Sequence, residues 1–569
     1  MVAVTKFLWG RHRSFIMKLQ ELVTSSAVRP KPFWHLPLGR ALVLAILPAI
    51  FFCVTRQLTK ISGPTWLHSN FENNYPYLFN SLRLIEGHPL YWIDHPGTTT
   101  QIFGAAVLRL SELGTGDQIV NAVIANPDKF IKRIQRCLLL FSAISLWFFP
   151  WLLALRLQSN IKALLLQVPS LLFATLLHYT IWFSSDLMLI PWCIAGLYLA
   201  TELVHLTRKG EPQTLQAVFA GIVCALGILT KLTFFPIILI LVLACRGWRN
   251  RLFMGASTLC SAALVAVPIY PRLPALVTWN VQLATHTGNY GSGDNGFTGP
   301  DILLRGATSL ISTEPMILWL PVTATIATLL LQFARRRKID VHSKRFIVIT
   351  ALILFCLQVI GFGLVAKHPG PHYLIPLYLC TGLNLVLLYE AVRSIEWRSF
   401  SAKFGTAALA GLLVWAFSSS IASTKNLFRL LGPWGKDQVS MYYRAKKQTD
   451  GDLRIDYYRA GSPEFAAFFG NDNAHDESGG DNYFGPLLEK RYPGALFAMD
   501  FGPEGLYTFT SEVDPASVIS SHDHFYLLGN HSDGRYDKDH MMSIPGIDSK
   551  DIKQVDQGGN LYLDEWKRP

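Results

Sequence analysis

The chain has 569 residues, 50% of them hydrophobic and 16% charged, with mean hydropathy +0.28. That is too apolar for a soluble protein of this length. The net charge of +12 is uneven: residues 423–569 hold 16 Lys+Arg against 23 Asp+Glu, a balance of −7 that leaves +19 on the rest. A basic membrane part with an acidic tail implies two compartments and argues against nucleic-acid binding.

In chain order, residues 1–39 form a cytoplasmic segment. Arg11, Arg13, Lys18, Arg29, Lys31 and Arg40 precede the first apolar run, which reads as an uncleaved anchor with its N-terminus inside. About eleven spans follow by length and flanking charge: 40–58, 134–156, 161–181, 187–206, 214–230, 232–247, 251–270, 315–334, 346–366, 372–391 and 404–422. The run around Thr230-Lys231-Leu232 is split because a lone Lys inside the membrane is costly. One set of short loops carries Lys162, Arg208-Lys209, Arg246, Arg249, Arg251, Arg335-Arg336-Arg337-Lys338, Lys344, Arg345, Arg393 and Arg398. The other set carries little beyond Lys367. This asymmetry puts loops 59–133 and 271–314 and the tail 423–569 together on the external face.

All 8 cysteines lie in apolar runs, so no disulfide or zinc framework is visible. The tail is expected to be a soluble α/β or α+β domain. Its strands would fall near Leu496–Met499 and Phe525–Leu528, with a helix near Pro463–Phe469. The polar loop 471–482 matches no calcium-ligand spacing.

The stretch from Phe71 to Gly104 concentrates the polar chemistry directly after the first span. It holds two carboxylates, Glu72 and Asp94. Asn74 is expected to cap a helix with Pro76 in its first turn, ended by Gly87 and Pro89. A second helix is expected from Thr98–Thr100, with Phe103, Ala106, Val107, Leu110 and Leu113 at helical spacing. Both read as amphipathic helices on the bilayer surface, with Glu72 and Asp94 at their entrances.

Phe71-Glu72-Asn73-Asn74-Tyr75 and Ile93-Asp94-His95-Pro96 together resemble the first external loop of the GT-C class of membrane glycosyltransferases. The relatives meant are the protein O-mannosyltransferases and the aminoarabinose transferases acting on lipid A. Glu72 and Tyr75 match that class's acidic-Tyr motif, and His95-Pro96 matches its basic-Pro element. Phe71 departs from the pattern, standing where the class often has Asp. Gly227-Ile228-Leu229-Thr230-Lys231 resembles its small-residue span ending in Lys. Lys367-His368-Pro369-Gly370-Pro371-His372-Tyr373 resembles its late loop. The fold implied is a polytopic α-helical membrane protein with a C-terminal soluble domain.

The resemblance implies transfer of a sugar from a polyprenyl-phosphate donor to an external glycan, lipid or protein acceptor. Glu72 or Asp94 would be the general base, inverting the anomeric centre. Tyr75, His95, Lys231, His286, Tyr290, Lys367, His368, His372 and Tyr373 would bind donor phosphate or substrate. The glycine-rich loop 285–294 would act as a lid. Some relatives use a divalent metal ion, for which Asp94 is the candidate ligand, and no other cofactor is implied. The expected setting is a bacterial inner membrane with a periplasmic tail, or else an endoplasmic-reticulum membrane. The competing readings are a transporter, flippase or polymerase for a lipid-linked glycan, and a membrane anchor for a binding domain.

Overall fold

The computed structural model describes residues 38–288, 291–296, 298–334, 341–393, 400–457, 460–475, 482–498, 505–530, 552–558 and 560–568. The N-terminal cations before Arg40, Tyr290, the Arg335–Lys338 run, Arg398, Met499 and His531-Ser532 lie outside these residues. Of two compact units, residues 1–46 contribute only the start of the first helix. Everything below concerns residues 47–569.

The helices run α1 Leu38–Ile61, α2 His68–Ile85, α3 Thr98–Ser111, α4 Gly116–Ala125 and α5 Pro127–Leu157. Next come α6 Asn160–Gln167, α7 Pro169–Leu172, α8 Ala174–Tyr179, α9 Ser185–Lys209, α10 Thr214–Thr230 and α11 Phe235–Ala244. The bundle ends with α12 Trp248–Val265, α13 Leu273–Thr285, α14 Pro300–Thr313, α15 Met316–Ala334, α16 Val341–Ala366, α17 Ile375–Arg393 and α18 Phe400–Gln448. The boundaries follow local chemistry. Asn126 caps α5, whose first residue is Pro127, and Gly210 at φ +70° closes α9.

The expected spans fall largely on helix, but they differ in length and some are broken. Among the described residues, six helical stretches are long and apolar enough to cross a membrane: Gly39–Ile61, Pro127–Leu157, Ser185–Lys209, Met316–Phe333, Arg345–Ala366 and Pro371–Arg393. A pair bent by 84°, Trp248–Val265 with Val267–Thr285, makes a seventh if taken as one span. Asn160–Leu172, Thr214–Thr230 and Leu232–Ala244 are shorter. Lys231 is the reason for two of these: the chain breaks there, and α10 alone reaches only about 25 Å. The chain is an integral membrane protein of mixed long and short helices. No break occurs at residue 423, because α18 runs unbroken for 49 residues from Phe400 to Gln448.

The C-terminal domain is a seven-stranded mixed sheet in the order β4-β3-β2-β1-β5-β7-β6. Its strands are β1 Arg454–Tyr457, β2 Leu496–Ala498, β3 Leu506–Tyr507, β4 Glu512–Val513, β5 His524–Asn530, β6 Ile552–Gly558 and β7 Leu561–Lys567. Central β1 is parallel to both β2 and β5, and the outer pairs are antiparallel. Helix α19 Pro463–Asp472 crosses from β1 towards β2, capped by the Ser462 hydroxyl on the Phe465 N–H at 2.9 Å. Beneath the sheet, Phe525 stacks on Trp566 at 4.7 Å.

Helix α2 joins the two parts. Its Phe71, Tyr75 and Phe79 are buried against α19: Phe71 meets Phe465 and Phe469 edge-on at 5.5 and 5.1 Å. The neighbouring stripe, Asn70, Asn74, Tyr77 and Ser81, faces the bundle. There Asn70 accepts the Trp182 indole N–H at 2.7 Å and Asn74 accepts the Phe183 backbone N–H at 2.8 Å. The expected surface helix is therefore corrected. It starts six residues before Asn74, and aromatic burial on one side with amide pairing on the other leaves no face for a bilayer. Helix α3 does open at Thr98, and its far end exposes Leu110 at 82%.

The polar helix ends gather at two places. One holds 62–68, 89–98, 179–186, 230–235 and 366–375, linked by the contacts described next. The other holds Arg156 paired to Glu202 at 2.7 Å and to Glu211 at 3.1 Å, Lys162 paired to Glu390, and Arg208 over the Phe346 ring at 4.2 Å.

Candidate active site

Two ionisable residues in apolar sequence find each other. Lys231 ends α10 and Asp186 opens α9, and the ammonium lies 2.6 Å from the Asp186 carboxylate. Both side chains are nearly sealed, at 2% and 3% exposure. Burial at that depth is tolerable only because the charges are paired. The Tyr373 ring covers the ammonium at 4.6 Å. Gly227 permits the fold-back after Lys231, since a Cβ there would stand 2.3 Å from the Phe234 ring.

The 89–101 loop lies against this pair. Gly97 donates its N–H to the Thr230 carbonyl at 3.1 Å, and the Thr99 and Thr230 hydroxyls are hydrogen-bonded. Gly97 sits at φ +64°, where a side chain would be strained and would strike Tyr77 at 2.6 Å. Gln101 donates to the Trp92 carbonyl at 2.9 Å, closing the loop onto α3.

These ties place Asp94 and His95. Burial pushes the Asp94 carboxyl up to about 6, with the Arg272 guanidinium pulling the other way. Arg272 itself lies over the Tyr91 ring at 4.0 Å. Burial, with Lys231 adding to it, holds the His95 imidazole well below its usual range, so it is neutral at pH 7. Its ring meets Tyr373 edge-on at 6.0 Å. The Tyr77 hydroxyl, pushed up by burial, lies among Ser185, Asp186 and Asp94.

Around this group, Thr98 Oγ1, Thr100 Oγ1, Gln101 Oε1, Ser184 Oγ and His372 Nδ1 are buried without a hydrogen-bond partner among the described residues. Each such atom costs about 1–3 kcal/mol. Side by side with Asp94 and the Lys231–Asp186 pair, they leave donors and acceptors that a polar ligand could take up.

The remaining predicted residues divide. Tyr373 and His372 belong to the cluster, with the His372 ring tilted against Tyr373 at 4.0 Å and Tyr179 at 4.7 Å. Lys367 makes a neighbouring knot, donating to the Leu283 carbonyl at 2.5 Å and to the His286 carbonyl. Burial lowers its ammonium, and burial with Lys367 lowers the half-buried His368. His286 caps α13 and bridges Asn295, so the glycine-rich loop is a hydrogen-bonded turn, with Thr287 N–H on the Asp294 carbonyl at 3.0 Å. Glu72 and Tyr75 both lie on α2. Glu72 lies inside α2, two residues and about 200° from Asn74. Tyr75 lies on the α19 face, with burial and then Tyr492 and Asp128 raising its hydroxyl.

No protein-family model and no curated protein matches this chain. Two solved structures are similar to it. ArnT from Cupriavidus metallidurans bound to undecaprenyl phosphate is 12% identical with a TM-score of 0.47, covering 93% of this chain and 98% of that one. Its apo state is 12% identical with a TM-score of 0.45, covering 91% and 97%. Likeness at that level leaves the chemistry to be argued from the residues themselves.

Among the described residues, no three His, Cys, Asp or Glu side chains gather as a metal site, and the charge beside Asp94 is the cation Arg272. Sequence reasoning missed Asp186, Arg272 and Tyr77. Asp186 carried a usable signal: two ionisable residues in apolar runs, Asp186 and Lys231, each need a partner. Arg272 and Tyr77 carried none, since only the fold brings them to Asp94.

Proposed function

We propose that the chain is an inverting glycosyltransferase that takes a sugar from a polyprenyl-phosphate donor. The observation that carries this is Asp94: a carboxyl raised to about 6, beside a guanidinium and a buried Lys–Asp pair, at the polar end of an apolar bundle. That value suits a base acting near neutral pH. Asp94 takes the proton of an acceptor hydroxyl as its oxygen bonds to the anomeric carbon. The sugar–phosphate C–O bond breaks, and its electron pair leaves on the phosphate. Arg272, whose Nε is buried without a hydrogen-bond partner, faces that growing charge. Lys231 is already neutralised by Asp186, so it shapes the cavity and orients Tyr373. His95 and His372 offer neutral ring nitrogens to sugar hydroxyls. Lys367, His286 and His368 edge the site, and Tyr290 is assigned with them.

Glu72 is the second carboxylate of this proposal, and two variants decide between the bases. In membranes supplied with polyprenyl-phosphate sugar, Asp94→Asn should lose transfer about 10²–10⁴-fold while the folded yield persists. Full loss in Glu72→Gln with an active Asp94→Asn would move the base to Glu72. The acceptor, whether glycan, lipid or protein, follows from which product carries the label. The setting proposed is a bacterial inner membrane with the site and the sheet domain periplasmic. The cationic end with Arg156, Lys162, Arg208 and Arg246 would then face the cytoplasm. Donor lipid that binds and crosses the bilayer without sugar transfer would favour the flippase reading.

A further inference from the structure

We infer that the sheet domain sets the position of the 89–95 loop through Asn80 and Arg83, which makes both positioning residues for the transfer reaction. The inference rests on the function proposed above, and its test is built to separate the two.

Asn80 is fully buried, and its amide has no capacity left over. Its nitrogen donates to the Pro76 carbonyl at 2.9 Å within α2 and to the Asn473 carbonyl at 2.9 Å in the sheet domain. Its oxygen accepts the Tyr91 N–H at 2.8 Å and the Trp92 N–H at 3.0 Å. Two donors and two acceptor sites are all that a carboxamide has. One side chain therefore ties the sheet domain, α2 and the loop that holds Asp94 two residues further on.

Arg83 repeats the bridge one turn along. It is 4% exposed, with Nε on the Pro89 carbonyl at 2.7 Å and a terminal nitrogen on the Ala474 carbonyl at 2.7 Å. Asn473 and Ala474 follow the last turn of α19, where carbonyls lack helical partners and a cation is favoured. The sheet domain thus presents two orphan carbonyls, and α2 relays them to the loop. Aromatic packing keeps the domain seated: a Cβ on Gly470 would stand 2.7 Å from Phe79 Cδ2 and 2.9 Å from Tyr75 Cβ.

Gly470→Val tests the relay from a distance, because it forces α19 off α2 without touching Asn80, Arg83 or the loop. Amide hydrogen exchange on the full chain in lipid nanodiscs reads the loop directly, and steady-state transfer reads its consequence. Exchange at the Tyr91 and Trp92 amides should speed up about tenfold or more. The value of kcat should fall about tenfold to a hundredfold, with KM for the donor within about twofold. Asn80→Asp is the second variant: it keeps both acceptors for Tyr91 and Trp92 but sets an oxygen against the Asn473 carbonyl. It should reproduce the effect while Leu527 and Leu528 in the sheet stay protected. Unchanged Tyr91 and Trp92 exchange in both variants overturns the relay. Faster exchange with unchanged kcat overturns the positioning role. A wild type that transfers no sugar, yet shows the exchange response, refutes the enzyme reading and leaves the mechanical tie standing.

Discussion

The two polar ends of the bundle use the same ion-pair chemistry to different effect. Lys231–Asp186 and Arg156–Glu202 have nearly equal lengths, 2.6 and 2.7 Å. Their surroundings differ: the first pair is 2% and 3% exposed, whereas Arg156 is 36% exposed and shares its charge with Glu211. Water reaches Arg156 of the second pair, although its partner Glu202 is 5% exposed, and reaches neither partner of the first. Contact length therefore says little about what a pair is for, and the access of solvent says much more.

Breaking one partner at the sealed end should have the largest effect. Lys231→Met strands the Asp186 carboxylate and should cost about 3–5 kcal/mol, read as a lower unfolding temperature in detergent micelles. Adding Asp186→Asn should recover part of that loss. A double variant no better than the single one would break the contrast drawn here.

Asp94 offers a pH test of the same end. A carboxyl raised from 3.8 to about 6 holds its proton more tightly folded than unfolded. Folding stability should therefore fall as pH rises through that interval and level off above it. Asp94→Asn should flatten this part of the stability profile. Transfer has the opposite slope: it should rise through about pH 6 as Asp94 becomes an available base.

Two smaller changes sharpen the comparison. Thr99→Val removes the hydroxyl pair with Thr230 and should cost about 1 kcal/mol, with a measurable rise in KM as the loop loosens. At the open end, Arg156→Ala should cost only about 0.2–1 kcal/mol and leave the transfer rate as it was. A larger cost there would mean that Glu202, itself 5% exposed, depends on Arg156 more than solvent allows.

Much of the fold was legible because its signals are local. The apolar runs fell largely on helix, Thr98 opened a helix, and Pro463 began the helix expected in the tail. The number of full spans was less legible, because periodicity does not say that a 17-residue helix such as α10 stops short. The site was legible in outline. Asp94, His95, Lys231, His372 and Tyr373 converge, whereas Tyr75 packs on the α19 side of α2. Motif order put Tyr75 next to the chemistry, whereas rotation about α2 turned it towards the sheet domain. A shift of two residues along a helix turns a side chain to the far side, and only packing fixes which face is which.

By itself the sequence determined a basic helical membrane part, an acidic sheet domain and the grouping of polar loops. Composition, run length and flanking charge act locally and survive without knowledge of contacts. Tertiary structure alone decided that Asp186 neutralises Lys231, that Arg272 and Tyr77 reach Asp94, and that Asn80 ties the 89–95 loop to residue 473. Those partners are 45 to 393 positions apart where a bond joins them. No local preference encodes such distances. They are fixed only when burial forces each polar group to find a partner.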